Sequence, residues 1–325
     1  MKRLFFFLLL MLAFVFSTSA QDFGNLKRYK VSYALATKAD EKWLAIRSFI
    51  CEGKKYMLLV EPQTLITRID RADNYVVSNL AFGNVQAIFN QSAYGRVMNV
   101  AQQNGKFLQN AGIDHAIPKE KGIALTVDLC PSHKGLDRII FQDLIKEFKK
   151  IETPVPLAIS VSGKWMLKHE EDLNWLKNMM IKNEIDITWI NHSYTHEVNQ
   201  LPLKENFMLS EKTNMDTEIL ENEKLMLKYG LTPSIFFRFP GLVSDQQLVA
   251  KLETYGLVPI GSDAWLAKGQ KPNAGSIVLI HGNGNEEIGV NDFIQLLQSK
   301  QVDVKNKQWL LFDLRKGLSN EFDQL

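Results

Sequence analysis

Cysteine and histidine are scarce in this chain of 325 residues, which contains two cysteines and six histidines. Two cysteines cannot form the multi-disulfide framework typical of small secreted domains, although a single bond between Cys51 and Cys130 is compatible with export. The sequence leaves open whether these two residues pair. Because histidine is rare, any regular spacing between histidines is informative.

An excess of one charge is also missing. The chain has 38 Lys and Arg residues against 36 Asp and Glu residues, with no basic arm and no block of like charges. Nucleic-acid binding depends on a basic surface, so we do not expect nucleic acid as a partner. No repeat of fixed period and no low-complexity segment is present.

The one long apolar run lies at the start of the chain. Lys2 and Arg3 precede an apolar stretch over residues 4–16, and small residues follow at 17–20. This pattern predicts a secretory signal peptide over residues 1–20, because the run is too short to span a bilayer comfortably. No cysteine follows the predicted cleavage point, so we expect no membrane anchor after cleavage. We expect export to the periplasm or the extracellular space.

From about residue 121 the chain alternates between short apolar, β-branched runs and segments with helical spacing. "GIALTVD", "PLAISVSG", "EIDITWIN" and "GSIVLI" predict strands, whereas "RIIFQDLIKEFKKI" and "HEEDLNWLKNMMIKN" predict helices. A long helix is predicted over 206–229, ending before Gly230 and Pro233. Six or seven such units imply a parallel sheet covered by helices over residues 121–325, either a barrel or an open sheet.

Residues 21–120 have a different pattern. "KKYMLLVEP" and "TLITRI" predict a small β element, and "SAYGRVMNVAQQNGKFLQNAG" predicts a helix. No catalytic spacing is present, and His115 stands alone in this region. We interpret the region as an α+β extension of unknown role that packs on the main domain.

Reactive side chains stand at the carboxyl ends of five predicted strands, "GIALTVD", "EIDITWIN", "SIFFRF", "LVPIGSD" and "GSIVLI". Since the carboxyl ends of parallel strands meet at one face, we expect these side chains to lie close together. The set consists of Asp128, His192 with His196, Arg238, Asp263 and His281. Structural roles are the alternatives: a turn or loop cap for Asp128 or Asp263, a surface ion pair for Arg238, and a core position for His281.

The stretch "WINHSYTH" places His192 and His196 four residues apart, directly after a predicted buried strand. Neutral imidazoles are ligands that suit Zn²⁺ and similar ions, so we expect the pair to hold a divalent metal. A pair on a surface loop is the alternative. We expect His133 and His169 to be solvated.

The ordered motifs resemble those of the polysaccharide deacetylase family, also called carbohydrate esterase family four or the NodB homology domain. "TVDLCPS" is similar to the first motif, usually Thr-Phe-Asp-Asp, and "HSYTH" matches the second. "RFPG" resembles the third, "SDAW" loosely resembles the fourth, and "LIH" matches the fifth. The resemblance covers roughly residues 121–325. It implies a distorted (β/α)₇ barrel with metal-dependent N- or O-deacetylase activity.

The resemblance also implies roles for individual residues. Asp128 takes the place of the general base, Arg238 orients that base, and His281 takes the place of the general acid. His192 and His196 take the places of ligands to a divalent metal, Zn²⁺ or alternatively Co²⁺. The substrate-binding positions are Trp265, Asp263 and Pro240, and Asp263 is also expected to tune the acid.

One position departs from the family pattern. The second aspartate of the first motif, a metal ligand in that family, would fall at Leu129, which cannot bind a metal. Catalytic zinc usually has three protein ligands. We therefore predict that the loop after Cys130 brings Asp137, or second in preference His133, back to the metal.

Taken together, these features predict an exported metal-dependent carbohydrate deacetylase. The expected substrate is an acetylated polysaccharide or peptidoglycan, with N-acetyl groups favoured. The alternative is a non-catalytic barrel that binds a glycan after losing its metal through Leu129. A glycosidase is a weaker third option, because it needs two facing carboxylates. The joint presence of Asp128, Arg238 and His281 favours the enzyme.

Overall fold

The computed structural model describes residues 23–320, so the predicted signal peptide lies outside the described residues. Between residues 23 and 320, no helix is both long and apolar enough to cross a membrane. The described chain contains two main sheets, one antiparallel and one parallel.

The antiparallel sheet is built from the N-terminal region. Its strands are β1 (Lys27–Lys38), β2 (Glu41–Cys51), β3 (Lys54–Val60), β4 (Thr67–Arg71) and β5 (Val76–Asn79), in the order β4-β3-β2-β1-β5. The β2–β3 hairpin turns at Glu52 and Gly53, whose φ angles of 49° and 75° suit a two-residue type I′ turn. Two helices follow, α1 (Phe82–Phe89) and α2 (Ala93–Gln103). The predicted β element is confirmed, and the sheet is larger than predicted. The helix predicted over residues 92–112 is confirmed only as far as Gln103, where a 3₁₀ turn at Asn104–Lys106 and then a loop follow.

The parallel sheet forms the second half of the molecule. Its strands are β6 (Gly122–Leu129), β7 (Val155–Val161), β8 (Ile185–Asn191), β9 (Phe236–Phe237), β10 (Val258–Pro259), β11 (Ala264–Trp265) and β12 (Ile277–His281). They are ordered β10-β9-β8-β7-β6-β12-β11, and a short β13 (Leu310–Leu311) pairs with the start of β6. The sheet curls into an incomplete barrel, which confirms the predicted (β/α)₇-type fold.

Helices cover the outer side of the parallel sheet. They are α3 (Ile139–Phe148), α4 (Gly163–Met166), α5 (Glu170–Ile181), α6 (Asn222–Lys228), α7 (Gln246–Glu253) and α8 (Glu287–Lys305). The last helix, α9 (Leu314–Asn320), instead packs Leu314 and Leu318 in the core cluster that contains Ala124 on the inner side of the sheet. Strand β6 shows how the sheet separates its two sides. Val127 and Leu129 belong to the apolar core that the sheet shares with α3, α5 and α8. Thr126 and Asp128 instead point into the barrel, because neighbouring strand residues face opposite sides.

A segment from the N-terminal region completes the barrel. Ile113 forms a parallel bridge to Ile260, just after β10, and His115 forms an antiparallel bridge to Ser276, just before β12. These few residues therefore lie between the two ends of the sheet. The predicted division at residue 120 separates sequence patterns, but the segment around Ile113 and His115 is part of the barrel wall.

Buried polar contacts join the antiparallel sheet to the barrel. The guanidinium of Arg47 in β2 donates to both carboxylate oxygens of Glu223 in α6, at 2.6 and 2.8 Å, and both side chains are fully buried. Tyr29 donates to the same carboxylate at 2.8 Å, and Tyr33 donates to the carbonyl of Thr254 at 2.8 Å. The N-terminal region is therefore packed firmly on the barrel.

The predicted helix over 206–229 is only half correct. Helical structure begins at Thr217 with a π-helical turn and continues as α6. The amide of Asn206 bonds to backbone groups of its own loop, and Asn214 accepts from the backbone N–H of Thr217 at 3.0 Å. Asparagine side chains that bond to nearby backbone compete with helix formation and favour helix starts, which explains the later beginning.

Candidate active site

Four of the predicted residues meet at the carboxyl end of the parallel sheet. Asp128 and His281 are directly paired in register across β6 and β12. His192 follows β8 and Arg238 follows β9, and β8 and β9 are also neighbours. Parallel pairing places these strand ends side by side, so the sheet itself brings the groups together.

Asp128 is held by Arg238. Arg238 is fully buried and extends its guanidinium to Asp128 Oδ1 at 3.3 Å, to Thr126 Oγ1 at 2.7 Å and to the carbonyl of Gly261 at 2.8 Å. Burial raises the pKa of Asp128, but the charge of Arg238, assisted by His192, outweighs it and lowers the pKa below the ordinary value. Asp128 is therefore ionised and can accept a proton.

The two histidines of "HSYTH" face each other with ring centroids 4.7 Å apart. His192 Nδ1 donates to the carbonyl of Arg238 at 2.8 Å, which leaves the lone pair on Nε2 directed into the barrel. His196 Nε2 is buried without a hydrogen-bond partner among the described residues. An unpaired buried imidazole nitrogen beside a second available one has the chemistry of a metal site.

A network of buried polar groups fixes the loop that carries these histidines. Ser193 and His196 have φ angles of 64° and 47°, which non-glycine residues rarely adopt. Glu218 in the π-helical turn accepts from both the backbone N–H and the hydroxyl of Thr195, at 2.9 and 2.7 Å. Asn191 accepts from the backbone N–H of Ser193 at 3.0 Å. The loop conformation is therefore set by its surroundings.

Cys130, the residue after β6, completes a compact group with the two histidines. The three potential ligand atoms of Cys130, His192 and His196 all lie within 4.8 Å of one another. Cys130 Sγ is 3.4 Å from His192 Nε2. Burial raises the pKa of the Cys130 thiol, but the adjacent imidazoles outweigh it and lower the pKa well below the ordinary value. Cys51 and Cys130 are both buried free thiols, so no disulfide joins them.

The structure does not bring Asp137 to this group. Asp137 Oδ2 accepts from the backbone N–H of Gly284 at 2.8 Å, and Asp137 N–H donates to the carbonyl of Gly282. The carboxylate thus fixes the loop after β12. His133 is exposed on the same segment. Cys130, not Asp137, is the third donor that the geometry offers, and Leu129 points away into the apolar core.

His281 has a carboxylate partner that sequence reasoning missed. His281 Nδ1 donates to Glu286 Oε2 at 2.7 Å, and the indole N–H of Trp265 donates to the same oxygen at 2.7 Å. Burial lowers the pKa of His281, but hydrogen bonding with Cys130 and Glu286 more than compensates and raises it to about 10. The imidazole is therefore protonated at neutral pH and can donate a proton. The only sequence signal for Glu286 is its position five residues after His281.

Asp263 does not lie beside His281. Its Oδ2 accepts from His115 Nδ1 at 2.7 Å and its Oδ1 accepts from the backbone N–H of Ile277 at 3.0 Å, at the opposite end of β12. The structure therefore gives the place expected for Asp263 to Glu286, and His115 is paired, not alone. Trp265 does lie at the site, with its ring 5.7 Å from that of His281.

Pro240 begins a short 3₁₀ turn after β9 and is buried. The next residue, Gly241, has a φ of 62° and packs so closely against the ring of Phe207 that a Cβ would lie 2.6 Å from it. Phe207 in turn meets His196 edge to face at 6.3 Å. The turn therefore packs on Phe207, and Phe207 packs on His196.

Comparison with known proteins gives a family match in the N-terminal region and similar solved structures for a larger part of the chain. The family described as the RP012 protein N-terminal domain matches residues 27–95, which span the antiparallel sheet, α1 and the start of α2. A family 4 carbohydrate esterase from Bacillus anthracis is 19% identical, with a TM-score of 0.47, over 68% of this chain and 90% of the other.

Two further solved structures are similar at the same level. PdaA, a family 4 carbohydrate esterase from Bacillus subtilis, is 17% identical with a TM-score of 0.45, over 71% of this chain and 90% of the other. A carbohydrate esterase family 4 pseudoenzyme from Bacillus anthracis is 18% identical with a TM-score of 0.43, over 65% of this chain and 70% of the other. These structures include both esterases and a pseudoenzyme.

Proposed function

We propose that this protein is an exported, metal-dependent carbohydrate deacetylase that hydrolyses acetyl groups, N-acetyl groups in particular, on a polysaccharide or peptidoglycan. One observation carries the proposal. An ionised, arginine-held carboxylate, Asp128, and a protonated histidine, His281, lie in register on neighbouring strands beside the His192 and His196 pair. Amide hydrolysis needs both a base for water and an acid for the departing amine.

The proton transfers are assigned to two side chains. Asp128 takes a proton from the attacking water, while Arg238 keeps the carboxylate ionised and fixed in position. His281 gives its proton to the amine nitrogen as the carbon–nitrogen bond breaks, because an amine leaves poorly unless it is protonated. Glu286 holds the imidazole through Nδ1, which leaves the Nε2 proton, on the side of Cys130, as the one to be donated.

The donor set fits a divalent metal such as Zn²⁺ or Co²⁺, which His192 and His196 would hold together with Cys130. Such an ion polarises a carbonyl group and lowers the pKa of water. Arg238 contributes here through its backbone, since its carbonyl fixes the His192 tautomer that leaves Nε2 available.

The substrate would reach the site at its partly exposed side. Trp265 and His281 are partly exposed there, whereas Asp128 and His192 are buried. An indole held rigidly by Glu286 offers a flat apolar surface with a fixed orientation for a sugar ring. An acetylated glycan is the partner that we propose.

Acetate release tests the proposal directly. The purified protein, with and without a chelator, is incubated with N-acetylated chitin oligomers and with peptidoglycan. We expect metal-dependent acetate release, and a decrease of about 100-fold or more for Asp128→Asn and for His281→Ala. His133→Ala, at an exposed position on the neighbouring loop, is the control and should retain the wild-type rate. Near wild-type rates for either active-site variant would contradict the assigned roles.

A non-catalytic glycan-binding barrel is the second candidate. Leu129 favours it, because this residue occupies the place of a carboxylate that the family uses for its metal. Saturable binding of the same oligomers without acetate release, under metal-replete conditions, would establish this function in place of the enzyme.

A further inference from the structure

The third donor beside the two histidines is the thiol of Cys130, whereas the family pattern places an aspartate at the position of Leu129. We infer that the site binds its metal through a thiolate and two imidazoles, with Cys130 replacing the carboxylate at position 129. The inference deepens the proposed function, because it rests on the same site and specifies the class of metal.

Strand alternation explains why the ligand moves by one residue. Successive side chains of β6 point to opposite sides of the sheet. Leu129 is fully buried in the outer apolar core, with its side chain lying 3.4 Å from the position of a Cβ built on Gly282. Asp128 and Cys130 both point into the barrel. Of these two residues, Cys130 forms the compact group with both histidines, whereas Asp128 is held by Arg238 and its Oδ2 lies 3.8 Å from His192 Nε2.

The spacing of the donor atoms agrees with a tetrahedral ion. Zinc lies about 2.3 Å from sulfur and about 2.0 to 2.1 Å from imidazole nitrogen, so neighbouring ligand atoms of a tetrahedron are roughly 3.5 Å apart. The Cys130 Sγ to His192 Nε2 distance is 3.4 Å. A ring nitrogen of His196 lies within 4.8 Å of the ligand atoms of Cys130 and His192, so all three donors can reach one ion after a modest shortening of these separations.

The surroundings of the group fit an ion and not a nucleophilic cysteine. His196 Nε2 has no hydrogen-bond partner among the described residues, although it is buried. The backbone carbonyl of Cys130 accepts from Asn283 Nδ2 at 2.5 Å, which fixes the backbone of the cysteine. Cys130 is 5% exposed, so a substrate carbonyl has little access to its sulfur.

A thiolate ligand restricts which metals the site accepts. Thiolate with imidazole suits Zn²⁺, Co²⁺ and similar borderline or soft ions, whereas Mg²⁺, Ca²⁺ and Mn²⁺ prefer oxygen ligands. We therefore expect Zn²⁺ and Co²⁺ to bind tightly and Mg²⁺ and Mn²⁺ not to compete at similar concentrations.

Cobalt spectroscopy of the full chain tests the inference. The protein is stripped with a chelator and titrated with Co²⁺ while absorbance is recorded. We expect one equivalent to produce an intense near-ultraviolet band of sulfur-to-cobalt charge transfer. Cys130→Ala should abolish the band and weaken metal affinity by at least about 100-fold, because loss even of an outer-shell partner costs 10- to 100-fold.

Two variants separate ligation from folding. Cys51→Ser removes the other buried free thiol and should leave the band unchanged. Cys130→Asp restores a carboxylate and should bind Co²⁺ without the charge-transfer band. A band that persists in Cys130→Ala, or bound Co²⁺ with no such band in the wild type, would overturn the inference.

Failure of the inference is distinguishable from failure of the proposed function. Metal-dependent acetate release without the sulfur-to-cobalt band would support the deacetylase function and contradict metal ligation by Cys130. A Cys130-dependent band without acetate release from any glycan tested would support the metal site and contradict the deacetylase function.

Discussion

Two histidine–carboxylate pairs in this protein share the same local geometry. His281 donates to Glu286 and His115 donates to Asp263, each from Nδ1 and each at 2.7 Å. The first pair lies at the carboxyl end of β12 beside Trp265, and the second lies at the opposite end of the strand. The second pair is therefore a matched control for the first.

Glu286→Gln should lower the turnover number by about 10- to 100-fold, the usual effect of losing a partner that orients an active-site histidine. The uncharged amide no longer stabilises the imidazolium, so the pKa of His281, about 10 in the wild type, should fall. His281 acts as an acid, so the alkaline limb of the kcat/KM profile should move to lower pH. Asp263→Asn should leave both the turnover number and the limb unchanged, and equal effects of the two substitutions would contradict this role for Glu286.

For individual residues, the sequence predicts the site well where a reactive side chain stands at the end of a strand. Asp128, Arg238 and His281 were predicted to lie together because parallel strands end at one face, and the structure brings them together. Glu286 was missed because it belongs to a loop, whose path is not encoded in any periodicity. Cys130 was overlooked although it follows from strand alternation: Leu129 faces outward, so its neighbours face inward.

Among the secondary-structure elements, the π-helical turn at Thr217–Glu221 stabilises the loop that carries His196. It presents Glu218 to Thr195, within the loop whose His196 has a positive φ. Turns of this kind are frequent at functional sites, because they redirect one side chain without ending the helix.

Glu218→Ala should weaken metal affinity by about 10- to 100-fold, because the histidine loop loses two hydrogen bonds that hold its strained backbone. Glu221→Ala is the matched control, since Glu221 lies on the same turn but bonds only to Lys224 at the surface. Isothermal titration with Zn²⁺ measures both. An equal loss in the two variants would indicate a general effect on the turn and not a role for Glu218.

Helix α7 ends in a buried carboxyl group. Glu253 Oε2 is 3.4 Å from Gln102 Nε2, and Oε1 has no hydrogen-bond partner within the described part of the chain. Burial raises the pKa of Glu253 from 4.5 to about 7. The folded state thus binds this proton more tightly than the unfolded state, so the stabilisation is complete below pH of about 4.5 and is lost as pH rises through about 7.

Glu253→Gln should therefore raise the melting temperature at about pH 8 relative to the wild type by more than at about pH 5. Scanning calorimetry at the two pH values measures the difference. Glu211→Gln, at an exposed acid, should show no such dependence. A constant difference between Glu253→Gln and the wild type at both pH values would exclude this carboxyl as a source of pH-dependent stability.

The elements differ in how well the sequence predicts them. Strands β6, β7 and β8 are buried, largely apolar runs, apart from the partly exposed Asp186 in β8, and their composition identifies them. The first half of the helix predicted over 206–229 is instead a loop, because Asn206 and Asn214 form side-chain bonds to the backbone. Apolar spacing does not reveal such local competition.

For the molecule as a whole, the Arg47–Glu223 pair joins the two halves. Arg47→Met should reduce the free energy of unfolding by about 3 to 5 kcal/mol, because it leaves the carboxylate of Glu223 buried without its partner. Arg71→Met, which breaks an exposed ion pair with Asp73, should have a much smaller effect. Urea unfolding measures both. Similar losses of unfolding free energy in the two variants would show that burial does not determine how much an ion pair stabilises this fold.

The relation of the two halves was the least predictable feature. Motif order identified the barrel, but nothing in residues 21–120 indicated that Ile113 and His115 would form part of its wall. Such pairing depends on shape complementarity between distant segments, whereas periodicity reports only on neighbours along the chain.

The contacts of the segment around Asn110 and His115 also constrain the order in which the newly made chain can fold. Asn110 bonds to Ser262 and His115 to Asp263, which are 152 and 148 residues farther along the chain. The first half leaves the ribosome long before its partners exist, and contacts of such long range form slowly. The barrel wall can therefore close only after the chain has been synthesised beyond Asp263, whereas the antiparallel sheet, which pairs neighbouring N-terminal strands, has no such requirement.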